Sequence, residues 1–261
     1  MKNNIIRIVS LIIALAAVVQ LASCGKNGET EPEKTVTSER TKASTSSTEK
    51  IVEIPEDKDE IVRMFNAALD FVDVYCYKYK KHVKCSVSDL NIGSLSAASN
   101  AGDAFRNIFG EGDFDTDYDY NKSKDDFDSS FPKSGFTPDM LTDATASAES
   151  DRIIITVRFP SESNPDKENG SLRLITNDFK DSETVKKSLT DFNSSASSIS
   201  INAYDIEMKA AVSTVDRSLL SLDISFNERY TLSGVKLVEL EGSTVSGISN
   251  VSINYSGFVT Q

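Results

Sequence analysis

Residues 205–226 read DIEMKAAVSTVDRSLLSLDISF. Ile206, Met208, Ala210 and Val212 recur at every second position. After the polar link STVDRS, Leu220, Leu222, Ile224 and Phe226 do the same. Successive side chains of a strand point to opposite faces. This period therefore predicts a hairpin with those eight residues on one buried face and Glu207, Lys209, Asp223 and Ser225 on the other. The same period appears on both sides of the hairpin: Ile153/Ile155/Val157/Phe159, residues 171–176, Ile199/Ile201, Val235/Leu237 and Val251/Ile253/Tyr255. Such alternation belongs to an antiparallel sheet with one buried and one wet face, and short links favour a meander.

Upstream the period lengthens. Asp57-Lys58-Asp59-Glu60 is a helix cap with a glutamate three residues on. Ile61, Phe65, Ala68, Val72, Tyr75 and Tyr79 follow at steps of four and three, which predicts one apolar face of a long helix over 57–81. Lys78, Lys80 and Lys81 would then meet the negative end of its dipole. Tyr75, Tyr77 and Tyr79 also alternate, so the end of the helix reads equally as the start of a strand. Val83, Cys85 and Val87 suggest a short strand. Leu95, Ala98, Ala101, Phe105 and Ile108 suggest a helix over 94–109, stopped by Gly110. Residues 111–150 are polar, with turns at Pro132, Gly135 and Pro138, and form a candidate boundary without an apolar core of their own. A further helix is expected at 182–193, through Val185, Leu189 and Phe192. Helices first and strands later predict an α+β fold: an antiparallel β-sheet meander with N-terminal helices packed on one face.

The N-terminal part of the chain is a different material. Residues 1–24, MKNNIIRIVSLIIALAAVVQLASC, carry a basic start, an apolar run from Ile8 to Val19 broken only by Ser10, and small residues before Cys24. That is the order of a secretory signal, and the apolar run is too short for a transmembrane anchor. Residues 25–55 are rich in Thr, Ser, Glu and Lys, and Val36 is the only aliphatic residue before Ile51. Such a stretch buries too little apolar surface to fold and reads as a tether reaching on the order of 30 Å. Residues 56–261 suit one folded domain.

Charge and composition exclude some classes. The formal charge is −12, and removal of residues 1–23 with Lys2 and Arg7 makes it −14. Nucleic-acid binding is not expected, because phosphate neutralisation needs a basic surface. No motif for a nucleotide, a zinc ion or a hydrolytic triad is present, and no cofactor is expected. The single histidine, His82, lies among lysines with no evident carboxylate to orient it, so catalysis there is not expected. Cys76 and Cys85, the cysteines besides Cys24, allow either a disulfide or two small buried side chains. Residues 111–128, EGDFDTDYDYNKSKDDFD, space Asp115, Asp117 and Asp119 as a calcium loop does. Tyr120 stands where that loop needs glycine, so the reading is a solvated acidic loop, with calcium as the lesser alternative. The cluster Lys78–Lys84 is either a solvated helix end or a contact for anionic lipid or wall polymer.

The motif Leu21-Ala22-Ser23-Cys24 resembles the bacterial lipobox. The resemblance implies that Cys24 carries a diacylglyceryl group after cleavage before it, which would hold an extracytoplasmic domain on the cell membrane. The stretch 205–258 resembles uncharacterised surface lipoproteins of anaerobic Firmicutes. More loosely, the lipobox, tether and alternating sheet resemble the LppX/LprG and LolA-like lipid carriers, whose curved sheet wraps helices around an apolar cavity. The expectation is a non-catalytic binding or interaction module, with a lipid or apolar-ligand carrier as the alternative and an enzyme less favoured. The only partner implied is the membrane, through Cys24.

Overall fold

The hairpin that opens the reading is the middle of the sheet. The computed structural model describes residues 54–97, 100–237 and 240–260. The signal, Cys24 and nearly all of the tether lie outside the described residues. In chain order the strands are β1 (Cys76–Asn91), β2 (Gly112–Asp119), β3 (Asp143–Glu149), β4 (Arg152–Phe159), β5 (Glu162–Ser163), β6 (Ser194–Ser195), β7 (Ser198–Ser213), β8 (Leu219–Leu237) and β9 (Leu240–Thr260). The helices are α1 (Lys58–Tyr75), α2 (Ala101–Ile108), α3 (Lys124–Ser130), α4 (Leu172–Ile175) and α5 (Ser182–Asp191). The main sheet runs β2-β1-β9-β8-β7-β4-β3, with every neighbouring pair antiparallel. This is an antiparallel sheet with a few helices, consistent with α+β.

Strands β7, β8 and β9 form the meander. Ile206, Met208, Ala210, Val212, Leu222, Ile224 and Phe226 are buried on one face. Leu220 is not: it is 44% exposed, and Leu219 takes its inward place. The pairing slips between Ala211↔Ser221 and Val212↔Leu219, which leaves Leu220 as the extra residue of a bulge. A second slip lies between Tyr204 and Glu207, where Asp205 has φ +53°.

Asp57 caps α1 as expected, accepting from the backbone N–H groups of Asp59 and Glu60. The helix stops at Tyr75, six residues short of the long-helix expectation, and Tyr77 and Tyr79 belong to β1. As a strand residue Tyr79 reaches the core, where its hydroxyl donates to the Phe127 carbonyl at 2.8 Å. The helix expected over 94–109 divides into a short 3-10 turn, Gly93–Ala97, and α2. Residues 171–176 are not a strand but contain α4, because Leu172 and Ile175 are buried together at helical spacing. The Glu162 carboxylate accepts from the Leu172 N–H at its start.

Residues 111–150 are no boundary. They supply β2, α3 and β3, and Phe127, Phe131, Phe136 and Leu141 join the main core. The acidic loop is β2, with Asp113, Asp115, Asp117 and Asp119 facing Lys84, His82, Lys80 and Lys78 across the β1 pairing. On the wet face the basic cluster of this acidic chain thus lies opposite a row of carboxylates, with Lys78 Nζ 3.3 Å from Asp119 Oδ2. Lys81 alone of the cluster turns inward and is buried. His82 does have a carboxylate partner, since Nδ1 lies 2.9 Å from Asp115 Oδ1.

The buried face divides into two clusters. The larger joins α1, α3 and α4 to β4 and parts of β7, β8 and β9. The smaller joins Phe105, Ile108, Val185 and Leu189 to Ile201, Tyr230, Leu232 and Val245.

Candidate functional site

Between the two clusters runs a polar seam. On β8 the inward residues are Leu222, Ile224, Phe226, Glu228, Tyr230 and Leu232. Phe226 belongs to the larger cluster and Tyr230 to the smaller, and Glu228 falls between them. On β9 Ser249, paired directly with Glu228, likewise separates Val245 from Val251. Cys85 of β1, paired with Val251, extends the line towards β2.

Glu228 is 1% exposed. The Tyr230 hydroxyl donates to its Oε2 at 2.7 Å, and the Lys180 backbone N–H donates to its Oε1 at 3.3 Å. Burial pushes the carboxyl up to about 7, against the lowering pull of these hydrogen bonds and of Lys180 and Lys167. Removal from water disfavours the charged form, so Glu228 titrates near neutrality. The neighbouring Tyr230 is raised too, by its own burial and then by Glu228.

Local packing holds this arrangement open. The Phe109 ring stacks on Tyr230, with centroids 4.5 Å apart and planes 10° from parallel. It fits because Gly247 has no Cβ: one added there would stand 2.9 Å from Phe109 Cε2. Ser249 Oγ donates to the Phe109 carbonyl at 2.7 Å. Gly110, at φ +92°, turns the chain out of α2 beside the Lys180 side chain.

Above the seam lies a cleft of about 340 Å³. One wall is β2, whose Phe114, Thr116 and Tyr118 alternate with the outward aspartates. The other is the segment from Asn177 to Thr184, with Lys167. Val83, Cys85 and Glu228 belong to its floor. The buried Lys81 is engaged with the second wall: Nζ is 2.5 Å from Asp178 Oδ2 and 5.4 Å from the Tyr255 ring centre. Lys167 and Lys180 make no ion pair among the described residues.

A wider groove of about 1020 Å³ runs beside α1, lined by Met64, Phe71, Val74, Tyr75, Val212 and Arg217 among others. It is the larger of the two, but it is an open surface feature whose lining includes no buried polar side chain. No three His, Cys, Asp or Glu side chains among the described residues form a metal-binding group.

The two cysteines of the folded part do not form the bridge that the sequence allowed. Both are free and lie on the single strand β1, nine residues of extended chain apart, roughly 30 Å. A disulfide needs Cα atoms about 4.4–6.8 Å apart. Burial raises both thiols, Cys76 to about 11, which makes them poor nucleophiles.

Among the described residues no helix is long and apolar enough to cross a membrane. No family model, curated protein or solved structure matches the chain.

Proposed function

We propose that this chain is a lipid-anchored extracytoplasmic binding module, without a catalytic step, that takes its ligand in the cleft over the polar seam. The observation that carries the reading is Glu228, a carboxyl buried between the two apolar clusters and lining an open cleft. Burying such a group is costly, and perturbed groups in clefts concentrate at working sites. The lipobox and the tether-like composition of residues 25–55 support the anchor. A carrier in the LolA manner would need an apolar space between sheet and helices, and the two packed side-chain clusters there favour a surface module instead.

The anchor is tested by metabolic labelling with a fatty acid. The wild-type chain should incorporate label and partition with membranes. Cys24→Ala should remain uncleaved and unlabelled. Label retained by Cys24→Ala would place the anchor elsewhere and remove this part of the reading.

A further inference from the structure

We infer that the cleft selects a small organic anion: one carboxylate or phosphate group on a compact apolar body. The inference rests on the reading of the cleft as a ligand site and names the chemistry that the cleft would recognise.

Lys81 is already paired with Asp178, so it offers little to a ligand. Lys167 and Lys180 line the cleft and make no ion pair among the described residues, in a chain of formal charge −12. The one other acid lining the cleft, Glu228, has both oxygens occupied by donors from Tyr230 and Lys180. When it is neutral, the cleft presents two ammonium groups outside any ion pair among the described residues, Lys167 Nζ standing 5.7 Å from the Phe179 ring centre. An anion satisfies them, and a cation meets repulsion that the partly enclosed walls screen less than open water would.

Strand β2 supplies the apolar side of the cleft. Phe114 is 60% exposed and stands at the cleft with Tyr118, while Phe109 and Phe179 are buried beside it. An aromatic side chain held half in water on an edge strand gains by covering an apolar ligand surface. A cleft of about 340 Å³ is at the small end of ligand sites, which limits the body to roughly one ring or a short chain.

The test is calorimetric titration of the mature chain with three probes of one shape: 3-phenylpropanoate, 3-phenylpropanol and 3-phenylpropylammonium. The propanoate should bind at least about tenfold tighter than the ammonium, a difference of about 1.4 kcal/mol. The double change Lys167→Gln/Lys180→Gln should bring the two within about threefold, in a chain that still unfolds cooperatively. It removes only side-chain charge and leaves the Lys180 N–H that holds Glu228. Phe114→Ser should weaken all three probes. Equal or tighter binding of the ammonium, still weakened by Phe114→Ser, would overturn the anion and keep the cleft as a site. No saturable binding of any probe up to about 10 mM would overturn the cleft reading as well.

Discussion

Glu228 makes the stability of this protein depend on pH in a definite direction. Its folded-state carboxyl is raised from an ordinary value near 4.5 to about 7. The folded chain therefore keeps a proton that the unfolded chain has lost, and stability falls as pH rises from about 4.5 to about 7, then levels. The whole effect is on the order of 3 kcal/mol. Glu228→Gln should remove that slope, read as the difference between wild-type and variant denaturation midpoints across this range. A wild-type slope that persists in the variant would assign it to other groups. A second residue-scale prediction concerns Gly247. Gly247→Ala should cost about 1–3 kcal/mol, because the new methyl must displace a fully packed Phe109 ring. Urea denaturation measures it, and a neutral result would mean that the Phe109–Tyr230 stack is loose. Glu228 was legible in the sequence. The period of two that starts at Leu222 runs through Phe226 to Tyr230 and Leu232, and it places a glutamate at an inward position. Reading β8 as separate pieces, 220–226 and 235–237, hid it. Which groups would meet Glu228 was not legible, because Lys180 arrives from a distant segment.

At the scale of elements, bulges explain where period-two reading slips. Leu222→Ala should cost about 2–5 kcal/mol and Leu220→Ala less than about 0.5, since only Leu222 is fully buried. Equal costs for the two would contradict the slip at Val212↔Leu219. Strand β2 was open to reading as well. Asp113-Phe114-Asp115-Thr116-Asp117-Tyr118-Asp119 alternates strictly, yet its carboxylates drew attention to a loop. What made it a strand is its partner, the Lys/His row of β1, and cross-strand pairing is invisible until the two segments are brought together. Each exposed pair is worth little. A double-mutant cycle on Lys78 and Asp119, 3.3 Å apart, should give about 0.2–1 kcal/mol at low salt and fade near 1 M. A larger, salt-independent coupling would mean that the ladder determines the edge of the sheet. The end of α1 was ambiguous for a related reason: Tyr75–Tyr79 satisfies both periods, and pairing with β2 and β9 decides for the strand from Cys76 onward.

At the scale of the whole molecule, one buried face carries two apolar clusters with a polar seam between them, and the cleft opens on that seam. The alternating strands made the sheet readable in advance. The seam depended on α2, α5 and the segment 176–184 crossing the sheet, which no local pattern specifies. The central claim is that this cleft, and not the larger groove beside α1, is the working surface. It is tested most directly by following the backbone amide resonances of the isotope-labelled mature chain as 3-phenylpropanoate is added. Shifts concentrated at residues 109–118, 177–184 and 228 are the predicted result. Shifts concentrated at residues 63–75 and 212–220 would move the site to the groove beside α1 and contradict the account.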